Sequence, residues 1–156
     1  MKGITRHKTW RFFAILIGVF GLLQLFNPPI ETPDYQQETD FLHVHSIATG
    51  TGELIKAACY DCHSYETKYP LYAKIFPLSI WIQGHIEQGR EELNFSTWGE
   101  MPKDWQQELT DHIIKLIKKD QMPLDSYKSM HPEARWSEVQ KQQVLHTLQS
   151  LLNQPN

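Results

Sequence analysis

The two cysteines of this 156-residue chain lie within one five-residue stretch, Cys59-Tyr60-Asp61-Cys62-His63. The C-x-x-C-H arrangement is the attachment signal for a c-type haem. Two thiols three residues apart can reach the two vinyl groups of one porphyrin, and the next imidazole can then bind the iron. The stretch therefore predicts one covalent haem c, with Cys59 and Cys62 as thioether links and His63 as the proximal iron ligand.

A C-x-x-C pair has three other uses, and these stay open as alternatives. A thioredoxin-like dithiol has a lowered thiol pKa. Such a dithiol occurs in a βαβ context, and the sequence shows no βαβ pattern. A disulfide would close a very short loop and add little stability. Zinc could be held by Cys59, Cys62 and two of His43, His45 and His63, although no second C-x-x-C or H-x-x-x-H pair supports that site.

Arg90 and Trp98 are candidate partners for the haem propionates. Arginine presents a planar fork that binds a carboxylate through two hydrogen bonds. An equally simple interpretation of Arg90 is a solvated helix face with acids one turn away. The side chains of Trp98, Tyr69 and Tyr127 are further donors of lower rank.

Short helices are predicted to position these residues within residues 41–156, since no alternating run is long enough for a sheet. We expect helices at about 52–60, 77–92, 103–119 and 137–152. The predicted inner face of the second contains Leu78, Trp81, Ile82, His85, Ile86 and Gly89. That of the third contains Trp105, Leu109, His112, Ile113, Leu116 and Ile117. Ser137 with Gln140 indicates a capping box before the last helix, whose apolar stripe is Val144, Leu148, Leu151 and Leu152.

An apolar segment at residues 12–27 precedes this domain and predicts a transmembrane anchor. The apolar run from Trp10 to Phe26 corresponds to about 25 Å of helix, at the short end of what spans a bilayer. The sequence after it has no A-x-A-like site, so we expect an uncleaved single span. Residues 1–11 are basic, which predicts a cytoplasmic N-terminus and an exported C-terminal domain. Residues 28–40 contain three prolines and are predicted to form an extended linker.

Charge is distributed unevenly along the chain. Residues 1–29 contain four basic residues and no acid, whereas residues 30–156 contain 18 acids against 11 Lys and Arg, a net charge of −7 with His neutral. An acidic domain argues against nucleic-acid binding, which depends on basic patches. A redox protein with a basic docking patch is the partner that this charge favours.

Residues 54–137 resemble a bacterial haem-binding domain family found in membrane-anchored or exported mono-haem cytochromes. The resemblance is carried by 59–64 (CYDCHS), 67–70 (TKYP), 77–79 (PLS), His85, 87–90 (EQGR), 93–96 (LNFS), Trp98, 122–123 (MP), Tyr127 and 131–134 (HPEA). It implies haem attachment and an all-α, small cytochrome c-like domain following the single N-terminal transmembrane helix.

The second axial position of such a haem takes a methionine or a histidine, and methionine raises the reduction potential relative to histidine. Met122 lies in the loop before the last helix, where the distal methionine of cytochrome-c-like chains sits, so the resemblance favours it. His85 and Met101 are the alternatives, and His131-Pro132 is assigned to a turn.

A haem with both axial positions filled has no site for a substrate, so the leading hypothesis is a non-enzymatic electron carrier at the periplasmic face of the cytoplasmic membrane. The alternative is a haem-based gas or redox sensor, or a peroxidase-like protein, which requires a labile distal ligand. No Ser-His-Asp order, phosphate loop or paired-carboxylate motif supports hydrolase or kinase chemistry.

Overall fold

The computed structural model describes residues 3–153, with side chains from residue 7 onward. Within that range the chain is all-helical, and no strand is present, which confirms the predicted fold class. The α-helices are α1 Gly3–Leu23, α2 Phe41–Val44, α3 Thr49–Ile55, α4 Asp61–His63, α5 Leu78–Glu92, α6 Lys103–Lys118, α7 Asp125–Met130 and α8 Glu138–Leu152. Short 3₁₀ turns and one π turn lie in the connections.

The chain divides into two compact units. Unit 1 comprises Met1–Glu31 and Tyr69–His85, and unit 2 comprises Thr32–Lys68 and Ile86–Asn156. The division falls inside α5, and the C-x-x-C-H stretch belongs to unit 2.

Unit 1 contains the apolar helix α1. Its segment His7–Phe26 has the length and apolar composition needed to cross a membrane, and its side chains are not buried inside the molecule. The helical conformation begins at Gly3, several residues before the predicted apolar span.

The core of unit 2 is built around aromatic side chains. Phe41 and Trp98 are fully buried, and their ring centroids lie 4.9 Å apart. Phe95 contacts Phe41 at 5.0 Å and stacks on Tyr60 at 5.2 Å. Tyr60 directly follows Cys59, so the aromatic core includes part of Cys59–His63, the predicted attachment stretch.

Asp40 connects the end of the predicted linker to this core. It is buried, accepts a hydrogen bond from the Leu42 amide at 2.9 Å, and accepts the Tyr60 hydroxyl on both carboxylate oxygens. Burial raises the pKa of Asp40, although the hydrogen bond from Tyr60 partly opposes the shift. Asp40 therefore connects this end of the predicted linker to the core of unit 2, and Gln37–Thr39 form a 3₁₀ turn where an extended chain was predicted.

The longest helices of unit 2, α6 and α8, pack against each other. Ile114 and Ile117 of α6 are buried with Val144, Leu145 and Leu148 of α8. The capping box predicted for α8 is present, and in it the backbone N–H of Gln140 donates to the Ser137 hydroxyl at 3.3 Å.

The inner face predicted for the third helix is wrong at Trp105, which is 60 % exposed, and at His112, which is also exposed. In the first half of α6 the buried side chains are instead two polar ones, those of Gln106 and Thr110. Gln106 donates to the carbonyls of Trp98 at 3.0 Å and Met101 at 2.9 Å. Gln106 thus satisfies two backbone acceptors that would otherwise lose water on burial.

Trp98 and Trp105 form a matched pair for testing this core. The Trp98 indole N–H donates to Nε2 of His45 at 2.9 Å. Trp98→Phe removes this donor and part of the ring, so we expect it to lower the free energy of unfolding by about 1–3 kcal/mol. Trp105→Phe on the surface should change it by no more than about 0.5 kcal/mol. Denaturant titration of the full chain in detergent measures both, and equal effects would contradict the assigned core.

Candidate functional site

The attachment stretch lies at the end of a short, continuous helical rod, residues 49–63, which is made of three consecutive segments. Helix α3 leads into a π turn at Lys56–Tyr60, and α4 contains the second cysteine and the histidine. Single π turns are rare and occur frequently at functional sites. Ser64 ends the rod in an extended conformation, and its hydroxyl donates to the Tyr60 carbonyl at 2.8 Å and accepts from the Glu66 amide at 2.9 Å.

The orientation of the His63 ring is set by two backbone carbonyls. Nδ1 lies 2.8 Å from the Gly89 carbonyl oxygen and 3.2 Å from that of Leu93. Because carbonyl oxygens only accept hydrogen bonds, the proton must be on Nδ1 and the lone pair on Nε2. Burial lowers the pKa of His63, which also favours the neutral ring. Histidines that ligate metals characteristically have this second hydrogen bond.

Gly89 allows α5 to lie directly on the rod. A Cβ atom at this position would be 2.6 Å from the Cys62 carbonyl oxygen and 3.3 Å from the Cys62 Cβ. Only glycine permits this approach, and the approach also brings the Gly89 carbonyl to His63.

Cys59 and Cys62 are not joined to each other as a disulfide. Burial raises the pKa of Cys59 to about 12 and that of Cys62 to about 11. Both are therefore neutral thiols at physiological pH, which is the opposite of the lowered pKa that a thioredoxin-like dithiol requires. Neither the disulfide nor the reactive dithiol interpretation gains support from this geometry.

The zinc interpretation requires the two cysteines to converge with two of three histidines. Among the residues that the structure describes, no three His, Cys, Asp or Glu side chains form a group suited to a metal ion. His45 instead lies against Phe41 and accepts from Trp98.

Arg90 connects α5 to the loop that follows the rod. Its Nε donates to the Ser64 carbonyl at 2.9 Å, and one terminal nitrogen donates to the Thr67 hydroxyl at 3.0 Å. The guanidinium also lies 5.2 Å from the ring centroid of Tyr65. Arg90 therefore holds the attachment loop in place, a contribution that the sequence interpretation did not include.

Trp98 has its single donor engaged by His45 and its ring fully buried. A propionate contact from Trp98 would require this bond to break. The Trp98 side chain is assigned here to the core of unit 2.

Asp61, between the two cysteines, connects the rod to α7. Its carboxylate accepts the Tyr127 hydroxyl at 2.8 Å and the Lys68 amide at 2.8 Å. The Tyr127 hydroxyl also lies 3.2 Å from the Ala57 carbonyl oxygen, and the Tyr127 ring stacks on His131 at 3.9 Å. This network was not predicted, because it joins residues up to 70 positions apart through common residue types.

The candidates for a second axial ligand have different surroundings. Met122 is half-buried in the loop between α6 and α7, five residues before Tyr127. Met101 packs against the hydrophobic core of unit 2. His85 belongs to unit 1, where its Nδ1 lies 2.9 Å from the Trp81 carbonyl oxygen. His131 donates from Nδ1 to the Tyr127 carbonyl at 3.1 Å.

The residues of the rod fit a haem. An iron porphyrin attached at both of its vinyl groups uses two unbridged thiols, and its iron is bound by an imidazole with a lone pair on a fixed nitrogen. Cys59, Cys62 and His63 supply these groups within five residues.

Comparison with known families gives an independent result. A family model described as a haem-binding domain matches residues 18–150, which is most of the chain. No curated protein and no solved structure matches it. The match includes the C-terminal end of the apolar helix, the attachment stretch and the helices of the predicted domain, the last of them as far as residue 150. The chain belongs to the haem-binding domain family.

Proposed function

We propose that this haem-binding protein carries one covalent haem c on Cys59 and Cys62, with Nε2 of His63 as an iron ligand. The observation that carries the proposal is the pair of carbonyls, from Gly89 and Leu93, that hold the Nδ1 proton of His63. The C-x-x-C-H spacing and the unbridged thiols support it. When bound, the haem supplies one-electron redox chemistry.

Residues of α5 and its C-terminal end would hold the iron ligand and the loop after it in place. Gly89 and Leu93 orient the imidazole, and Gly89 also permits the close approach of α5. Arg90 holds the loop after His63 through Ser64 and Thr67. A ligand held rigidly by its surroundings changes little between oxidation states, which favours electron transfer.

We further propose that Met122 occupies the second axial position and that the protein is an electron carrier rather than an enzyme. Tyr127 bonds to Asp61 and Ala57 on the rod, so the loop preceding α7 ends beside the attachment stretch. Met122 lies in that loop, whereas Met101, which is buried to a similar degree, packs against the hydrophobic core of unit 2.

Met122→Ala provides the test of this ligand. We expect the weak far-red band of ferric haem bound by sulfur to disappear and the reduction potential to fall by on the order of 0.1 V, because methionine favours the ferrous state. The reduced variant should also gain carbon monoxide binding. Met101→Ala is the control, since it should lower stability while leaving the band and the potential in place.

Carbon monoxide binding by the reduced wild-type protein distinguishes an electron carrier from a haem-based sensor. A reduced wild-type protein that binds carbon monoxide readily would contradict the carrier proposal and favour a gas sensor or peroxidase-like protein with a labile distal ligand. Loss of the far-red band in Met101→Ala alone would assign the ligand to Met101.

We also propose that the helix His7–Phe26 anchors the protein in the cytoplasmic membrane, with residues 32–156 in the periplasm and a redox protein as partner. The length and apolar character of the helix support the span. Four basic residues and no acid in residues 1–29 support this orientation by the positive-inside rule. Retention of the protein by vesicles in alkaline carbonate, with protease access only from the periplasmic side, is the expected result.

A further inference from the structure

The segment Tyr69–His85 of unit 1 buries two polar side chains and exposes several large apolar ones to the surface. Ser79 and Gln83 of α5 are buried, whereas Leu78 and Trp81, predicted to face the core, are 49 % and 53 % exposed. Leu71, Ile75 and Ile80 of the same segment are also exposed. A helix surface that is polar inside and apolar outside is the reverse of a helix on the surface of a soluble domain.

This segment is attached to the end of the apolar helix by three hydrogen bonds within unit 1. The Gln24 side-chain oxygen accepts the Phe76 amide at 3.0 Å. The Asn27 side chain donates to the Lys74 carbonyl at 3.2 Å and accepts the Ser79 hydroxyl at 2.6 Å. The exposed apolar side chains therefore lie at the level where the proposed anchor leaves the bilayer.

The charge of the segment is also unlike that of the rest of residues 30–156. Residues 69–86 contain one charged side chain, Lys74, and no acid, although residues 30–156 as a whole are net −7. Tryptophan and tyrosine are enriched at membrane interfaces, and a lysine there is attracted to anionic headgroups.

We propose that residues 71–81 lie in the interface of the membrane, with Leu71, Ile75, Leu78, Ile80 and Trp81 in contact with lipid. This inference rests on the proposed anchor. The consequence is that unit 1 is held to the bilayer by a second element besides the spanning helix, which restricts its rotation and tilt. A freely jointed tether would leave those motions open.

Trp81 and Trp105 allow the proposal to be tested without altering the protein, since their exposed fractions are similar, 53 % and 60 %. The full haem-loaded chain is placed at one copy per nanodisc of phosphatidylethanolamine and phosphatidylglycerol. Hydroxyl-radical footprinting should oxidise Trp81 at least about five-fold more slowly than Trp105, because interfacial side chains are buried in the headgroup region. A phospholipid with a carbene precursor near its headgroup should label residues 71–81 but not residues 103–109.

Three results would overturn the proposal. One is equal oxidation of Trp81 and Trp105, and another is lipid labelling confined to residues 10–26. The third is protection of Trp81 only when several chains share a bilayer, which would assign the surface to a second copy. Failure of the anchor itself is distinguishable, because the chain would then be released from vesicles by alkaline carbonate.

Discussion

The double substitution Cys59→Ala with Cys62→Ala is expected to abolish all haem that stays with the denatured chain. The two sulfurs are the only thiols in the protein, and both are unbridged. His63 keeps the two carbonyls that orient its ring, so any haem that the variant binds is held by coordination alone. Haem staining after denaturing electrophoresis and extraction into acidified organic solvent measure the change.

The two single variants are the matched controls for this experiment. Each keeps one thiol and should therefore retain haem through a single thioether, with the haemochrome band shifted to longer wavelength than in the wild type. Pigment that remained with the denatured double variant would contradict attachment through these cysteines. Extraction of all pigment from the wild-type chain, matured with its ligation machinery present, would contradict covalent attachment altogether.

Gly89→Ala is expected to be the most damaging single methyl addition at the site. The new Cβ would lie 2.6 Å from the Cys62 carbonyl oxygen and 3.2 Å from the Cys62 carbonyl carbon. Because both of these atoms are backbone, no flexible side chain can move aside. Overpacking of this kind costs about 1–3 kcal/mol. Since the Gly89 carbonyl also accepts from His63, a shift of α5 should lower the yield of haem-loaded protein as well.

Gly84 is the control on the same helix. A Cβ at Gly84 would meet nothing within 4 Å, so Gly84→Ala should stabilise the helix by about 0.5–1 kcal/mol through its better helix propensity. The two variants thus carry the same chemical change with opposite expected signs. Thermal unfolding of the full chain and its haem-to-protein ratio measure both, and equal behaviour would show that α5 does not depend on close contact with Cys62.

The sequence by itself determined the attachment stretch and the positions of the main helices. Cys59, Cys62 and His63 lie within five consecutive residues, so the haem attachment proposed for them depends on local spacing alone. The predicted helices at about 77–92, 103–119 and 137–152 correspond to Leu78–Glu92, Lys103–Lys118 and Glu138–Leu152. Their ends follow from local signals, such as the Ser137 and Gln140 capping box, that need no distant partner.

The tertiary structure alone decided what surrounds that stretch. The partners of His63 are backbone carbonyls 26 and 30 residues away, and a carbonyl has no residue type by which a sequence could indicate it. An apolar stripe specifies a face that avoids water but not what covers it. For this reason periodicity placed Trp81 and Trp105 in the core, whereas folding left both exposed and buried Gln106, whose amide satisfies two carbonyls.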